Sequence, residues 1–129
     1  MADEKSKHGT FCWNELMTRD AKAATKFYTE LVGWKAVESG MPGVDYTLLK
    51  AGDTEAGGLM QMPADVPNEV PSHWMTYIQV DDVDALVSKV TELGGQVIHG
   101  PQDIPNVGRI VIIQDPTGAA VSLFKPAAK

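Results

Sequence analysis

The sequence predicts an α+β fold of two tandem βαβββ modules, which form a cupped mixed sheet with the helices on its outer face. The main observation is an internal repeat, a feature that decides the fold before local patterns do. A constant offset of 62 residues relates two helix-cap aspartates, two helix-ending glycines and two turn aspartates: Asp20 and Asp82, Gly33 and Gly95, and Asp53 and Asp115. In addition, each copy opens with strand-like alternation and continues with apolar residues at helical spacing.

Module one covers about residues 9–62. Residues 10–18 alternate between two faces, which indicates a strand, and one face carries Phe11, Trp13, Glu15 and Met17. Asp20 is placed to cap a helix by accepting a hydrogen bond from an early backbone N–H, and Gly33 to end it. Three more strands are predicted at residues 34–37, 45–51 and 57–62, with turns at residues 40–43 and 52–53.

A linker and a second module follow. Residues 63–72 hold three prolines and no hydrophobic period, which indicates an irregular connection. Module two, residues 73–126, repeats the order: a strand at 73–80, a helix capped by Asp82, and strands at 96–99, 109–114 and 119–124, with a loop at 100–108. Residues 1–8 are expected to form a mobile polar tail, outside a single domain of residues 9–126.

Composition excludes several classes of function. The formal net charge is −6, which argues against a protein that binds nucleic acid through its phosphates. Cys12 is the only cysteine, so an intramolecular disulfide and a cysteine-based zinc cluster are excluded. No secretory signal and no apolar run of about 18 residues occur, so we expect a cytoplasmic protein with no membrane partner.

Several motifs together resemble the vicinal oxygen chelate superfamily, that of glyoxalase I, bleomycin-resistance proteins and extradiol dioxygenases. They are the Phe27-Tyr28…Gly33-Trp34 run after the capped helix, the helix entry at residues 80–85, the strand start at residues 107–109 and the turn at residues 115–118. The resemblance covers residues 9–126 and is greatest to glyoxalase-like proteins of bacteria. It implies the cupped fold, and it implies a homodimer whose cup closes within one chain or across two.

The resemblance also implies where a metal would bind. Such proteins often carry His, Glu or Gln at four positions, on the first and last strands of each module. The corresponding positions here are Trp13, Met75, Ser122 and Met60, or Leu59 if the strand slips by one. Indole, thioether and hydroxyl groups do not make a site for a hard divalent cation. We therefore predict no metal and no cofactor, and neither glyoxalase I isomerisation nor ring-cleaving oxygenation.

Two residues are candidates for chemistry. Glu15, between apolar neighbours on an inner strand face, could have a raised pKa and act as a base; the alternative is a solvated or hydrogen-bonded carboxylate at the sheet rim. Tyr77 could donate to a ligand oxygen, or be a core tyrosine. The remaining candidates would line an aromatic cup with few polar groups: Phe11, Trp13, Met17, Gln61, Met75, Gln79, Ser122 and Phe124.

Other residues have a more ordinary interpretation. Cys12 is expected to be a small buried hydrophobe, and Trp74 a core residue. Arg109 could bind an anion at the mouth of the cup, although a surface arginine is the default. Gly57 and Gly58 could allow a ligand to approach the backbone closely, although a bend or bulge in the sheet is the expected explanation.

Three functions fit this pattern. The first is a metal-independent member of the superfamily that binds a small organic molecule, with flat aromatic compounds as one option; any chemistry would be proton transfer of the lyase or isomerase type. The second is a non-catalytic protein that sequesters a drug, as bleomycin-resistance relatives do. The third is an interaction module with a vestigial cup. The ligand, the pathway and the presence of turnover do not follow from the residues.

Overall fold

A computed structural model of the protein describes residues 8–40 and 45–127, so the predicted tail up to residue 7 and part of the predicted turn at 40–43 lie outside the described residues. In these ranges the elements follow the order β1 (Phe11–Thr18), α1 (Ala21–Val32), β2 (Lys35–Glu38), β3 (Tyr46–Ala51), β4 (Thr54–Gln61), β5 (His73–Gln79), α2 (Val83–Glu92), β6 (Gln96–Ile104), β7 (Gly108–Gln114) and β8 (Ala120–Pro126). The order confirms the α+β class and the two βαβββ modules. Within the described ranges, no helix has the length and apolar character needed to cross a membrane.

Two predicted boundaries were wrong. The turn at residues 52–53 lies where it was predicted, but β4 follows it directly from Thr54, three residues before the predicted start at residue 57. β6 runs on to Ile104, through half of the predicted loop at 100–108, because it pairs antiparallel with β7. This pairing is interrupted by two register shifts, so the strand shows no clean alternation.

By backbone proximity the chain divides into two compact units. The first unit, Asn14–Trp74, holds most of module one and the linker. The second unit holds module two from Met75 onward, together with the described residues 8–13. Within this second unit the backbone N–H of Gly9 donates to the Gln79 carbonyl, and the Gln79 N–H donates to the Thr10 carbonyl.

In the first unit the strand order is β2-β3-β4-β1, with β1 parallel to β4 and the other pairs antiparallel. The side chain of Asp20 caps α1 by accepting from the Ala23 N–H, and Gly33 ends the helix in the left-handed conformation, as predicted. α1 covers one face of this sheet, where Leu16, Leu49 and Leu59 form the core. Because successive side chains of a strand point to opposite faces, Glu15 and Met17 lie on the face away from the helix.

In the second unit the order is β5-β8-β7-β6, again with its first and last strands parallel. Asp82 caps α2 by accepting from the Ala85 N–H. The helix-side core is formed by Val80, Val83, Val111 and Leu123. Because side chains alternate along a strand, Tyr77 of β5 and Ser122 and Phe124 of β8 lie on the face away from α2.

The repeat offset changes along the fold. β1 and β4 pair Glu15 with Gly58, whereas β5 and β8 pair Tyr77 with Ser122. The offset is thus 62 residues on the first strands and 64 on the last. The last hairpins match in length, since seven residues separate Leu49 from its partner Gly57 and seven separate Ile113 from Val121. Module two therefore has two extra residues before β7, and the match between Asp53 and Asp115 does not reflect equivalent positions.

Candidate functional site

The face of each sheet opposite its helix is called here the inner face. By alternation, each predicted site residue on a strand lies on the inner face of its own sheet, except Gln61. Most of these side chains are buried: Trp13, Glu15, Met75, Tyr77, Gln79, Ser122 and Phe124. Met17 is half-buried and Phe11 is 70% exposed.

The inner face of the second unit combines two rings with a buried hydroxyl. Ser122 is fully buried, and among the described residues its Oγ has no hydrogen-bond partner. Its ladder partner is Tyr77, whose ring meets that of Phe124 edge to face, with centroids 6.2 Å apart and planes at 88°. The Phe124 ring in turn lies over Gly108, where an added Cβ would come within 2.6 Å of it. The Ser122 hydroxyl is therefore shielded from water and lies beside two aromatic rings.

On the inner face of the first unit, a tyrosine ring lies over the ladder partner of a buried carboxylate. Glu15 is only 7% exposed, and its ladder partner is Gly58. The ring of Tyr46, 6% exposed, lies over Gly58, so a Cβ on Gly58 would collide with the Tyr46 phenol. Tyr46 was not among the residues predicted from the sequence. The available signal was the glycine itself. We interpreted Gly57 and Gly58 as a bend or bulge, and the ladder does shift register beside Gly57, but Gly58 also marks a close approach by a side chain.

Gln61 has a local structural role. It is exposed at the end of β4, where its amide accepts from the Ala21 N–H at 2.9 Å and donates to the Arg19 carbonyl at 2.6 Å, joining β4 to the start of α1. The Arg19 guanidinium donates to the carbonyls of Pro67 and Val70 in the linker. These side chains border an open groove of about 600 Å³, lined by Arg19, Asp45, Met60, Gln61, Met62, Pro63 and Ala64.

The positions that would hold a metal in the superfamily do not fit one. Trp13, Met75 and Ser122 are the residues predicted there, but the ladder registers make Gly58, not Met60, the counterpart of Ser122. Leu59, the alternative, lies in the helix-side core and was wrong. An indole, a thioether, a hydroxyl and a glycine offer no set of hard donors. In the described parts of the chain, no three His, Cys, Asp or Glu side chains are grouped so that they could hold a metal ion.

Arg109 is engaged by two carboxylates. Its Nε and Nη2 donate to both oxygens of Asp84 on α2 at 3.0 Å, and its Nη1 donates to Asp103 of β6 at 2.9 Å. These hydrogen bonds, first with Asp84 and then with Asp103, raise the pKa of the guanidinium. The arginine therefore joins three elements of the second unit instead of presenting its charge to an anion.

Two further expectations concern Cys12 and Trp74. Cys12 is half-buried, and burial raises the pKa of its thiol, which disfavours the reactive thiolate. Trp74 was expected in the core but is 43% exposed. Its ring packs edge to face on Tyr28 and Trp34, and its Nε1 donates to the Tyr28 hydroxyl at 3.2 Å. This aromatic cluster leaves one tryptophan edge in solvent.

The fold defines an α+β protein of paired βαβββ modules, each with a helix on one sheet face. The family model described as Glyoxalase/Bleomycin resistance protein/Dioxygenase superfamily matches residues 10–123, and the chain belongs to this superfamily.

Relatives and solved structures agree with this assignment. CFP32 of Mycobacterium tuberculosis, whose name places it provisionally among the glyoxylases, is 48% identical over 122 residues, which are 92% of this chain and 45% of CFP32. The anthracycline biosynthesis protein DnrV of Streptomyces peucetius is 31% identical over 91% of this chain and 47% of its own length. The chain thus spans about half the length of these relatives. Methylmalonyl-CoA epimerase from Mycobacterium tuberculosis superposes with a TM-score of 0.64 at 19% identity, covering 93% of this chain and 89% of the epimerase, and shows the same fold.

Proposed function

We propose that this chain binds a small, flat organic molecule on the inner face of its second unit, without a divalent metal. The observation that carries the proposal is the buried Oγ of Ser122, which has no hydrogen-bond partner among the described residues. Burying a hydroxyl without a partner costs free energy. Native proteins retain such groups where a ligand or an ordered water completes the hydrogen bond.

The neighbouring side chains suit an aromatic ligand. Tyr77 and Phe124 supply ring surface, and the Tyr77 hydroxyl and Ser122 Oγ supply polar groups on one face. Apolar walls with a few polar groups are typical of small-molecule sites. Since the face is buried, a side chain must move to admit the ligand, and Met75 is suited to this because an unbranched thioether adapts easily.

The name of one relative supports this ligand class. DnrV is named as an anthracycline biosynthesis protein and is 31% identical to this chain. Anthracyclines are fused planar rings bearing quinone and phenol oxygens, which could stack on rings and bond to hydroxyls. We therefore place a planar polycyclic ketone or quinone first among the ligands to be tried.

A second candidate function is metal-independent catalysis by proton transfer, of the lyase or isomerase type. It is favoured by Glu15, a carboxylate only 7% exposed on the inner face of the first unit. A carboxylate in an apolar setting can act as a general base on a carbon acid. Sequestration without turnover is the remaining possibility, and product analysis separates the two: stoichiometric protection of the ligand with no new product indicates sequestration.

Binding is tested by titrating the purified chain with a dihydroxyanthraquinone and following both tryptophan fluorescence and the melting temperature. A ligand of the folded state raises the melting temperature in proportion to the logarithm of its concentration over Kd. Ser122→Ala is expected to weaken binding at least tenfold. The matched control is Ser88→Ala, at an exposed serine on α2. Equal affinities of the two variants would remove Ser122 from the site.

The metal-free part of the proposal has its own test. Elemental analysis of the protein purified without chelator is expected to find less than about one tenth of an equivalent of divalent metal. The reason is that the residues at the superfamily's metal positions, Trp13, Met75, Ser122 and Gly58, are poor ligands. One tightly held equivalent per chain, removed by EDTA with a fall in the melting temperature, would contradict it.

A further inference from the structure

We propose that Tyr46 is a positioning residue for Glu15, with its phenol O–H donating a hydrogen bond to the Glu15 carboxylate. The inference rests on the proposed role of Glu15 in proton transfer and names the group that holds this carboxylate in place. It starts from the ladder between β1 and β4, in which Glu15 and Gly58 are partners and so lie on the same face.

The space above Gly58 is filled by the ring of Tyr46. Tyr46 pairs with Met60 across β3 and β4, two residues along from Gly58 on the same face. From there its ring reaches back over Gly58, so that a Cβ added to the glycine would lie 2.6 Å from Tyr46 Cε1 and closer still to the phenol oxygen. The phenol oxygen therefore occupies nearly the position of the missing side chain.

The Glu15 side chain is long enough to reach the Tyr46 phenol oxygen. Partner side chains on adjacent strands have Cβ atoms about 5 Å apart. An oxygen at the place of a Gly58 Cβ is thus about 5 Å from the Cβ of Glu15, a separation that the Glu15 side chain spans when it turns towards β4. Glu15 is 7% exposed and Tyr46 is 6% exposed, so the two polar groups share a largely dry surface.

A hydrogen bond from the phenol to the carboxylate would be energetically favourable at this buried position. A buried carboxylate needs donors, and a hydrogen bond to a charged group is among the stronger ones in a protein. A phenol is a suitable donor because at neutral pH it keeps its proton, donates it in a hydrogen bond to the carboxylate, and adds no competing charge. Fixing the carboxylate in one rotamer would hold it ready for a proton from a bound carbon acid.

The second unit has a related arrangement with different residues. There the position equivalent to Gly58 is Ser122, which faces Tyr77 and carries its own hydroxyl. In the first unit the glycine on β4 has no side chain, and the hydroxyl is supplied from β3 by Tyr46. In both units a hydroxyl thus lies beside a polar residue of the first strand, but Ser122 of the last strand supplies it in the second unit and Tyr46 of β3 supplies it in the first.

The test is a carboxyl ¹³C NMR titration of the ligand-free chain labelled at glutamate. Tyr46→Phe is expected to move the titration midpoint of Glu15 upward by about one pH unit, because the charged form loses a donor. The matched control is Tyr28→Phe, which removes a phenol hydroxyl from the helix-side face of the same unit and should leave the midpoint in place. An unchanged midpoint in Tyr46→Phe would overturn the proposal.

A second measurement needs no change at position 46. In the wild-type chain the ring ¹³Cζ resonance of Tyr46 should titrate with the midpoint of Glu15, and Glu15→Gln should abolish that titration while leaving the tyrosine signal otherwise sharp. A Tyr46 resonance that ignores the state of Glu15 would refute the contact. Both experiments are done without ligand, so their failure leaves the binding proposal standing, and loss of anthraquinone binding leaves this contact standing.

Discussion

The ring of Tyr46 covers Gly58 so closely that the glycine has no space for a Cβ. Gly58→Ala must therefore displace the ring or the strand, and we expect it to lower the free energy of unfolding by about 1–3 kcal/mol, as overpacking does. Urea unfolding of the two chains measures the difference. In a Tyr46→Ala background the same substitution should cost much less, because the obstacle is gone. Equal costs in both backgrounds would show that the ring is not the cause.

Ser122 should be unfavourable for stability. Ser122→Ala removes a buried hydroxyl that lacks a protein partner, so we expect the ligand-free variant to be about 1 kcal/mol more stable than the wild type. Such a trade of stability for binding is common at functional sites. Urea unfolding, with Ser88→Ala as the control, checks this. A loss of stability would mean that the hydroxyl is satisfied in solution.

The ion pairs of Arg109 should be sensitive to salt. Arg109→Gln removes the hydrogen bonds to Asp84 and Asp103, and its melting temperature is expected to fall below that of the wild type. The difference should shrink at 1 M sodium chloride, because salt screens exposed charges. Lys89→Gln, at an exposed lysine on α2, removes the same formal charge and should show a smaller effect. A difference that persists unchanged in salt would point to packing instead.

The turn after β7 should stabilise the fold only while Asp115 is ionised. The Thr117 hydroxyl and the backbone N–H groups of Ala119 and Thr117 donate to this carboxylate and lower its pKa from the ordinary value of 3.8. A pKa that is lower in the folded state gives stability present above the unfolded value and lost as the pH falls through the folded one.

The expected result is a stability difference between wild type and Asp115→Asn at pH 7 that shrinks as the pH falls below the ordinary pKa of 3.8 and is lost below the lower pKa of the folded state, where the carboxyl is protonated in both states. Urea unfolding at the two pH values measures it. Asp53→Asn, in the turn between β3 and β4, controls for the removal of a charge. A difference that is the same at both pH values would exclude the carboxylate as its source.

Local patterns were enough to predict both helices, the order of the strands and the two faces of β1. Asp20 and Gly33 bound α1 because capping and left-handed geometry depend on a few neighbouring residues. The alternation of β1 correctly separated Leu16 in the helix-side core from Glu15 on the inner face.

What the patterns missed depends on pairing between strands. The place of Tyr46 over Gly58 follows from the register of β3, β4 and β1, which no single segment encodes. Trp74 was assigned to the core by residue type, but a type does not show whether anything covers its outer edge. The extension of β6 was hidden because its two register shifts break the alternation.

The two additional residues that precede β7 make up an even number, and in a strand only an even change keeps every side chain on its original side. If a gain of one or three were carried into the pairing of β7 and β8, Leu123 would turn away from α2 and Ser122 would face that helix. Insertions and deletions in this segment among natural variants are therefore expected to come in pairs, or to be absorbed where the pairing of β6 is already irregular.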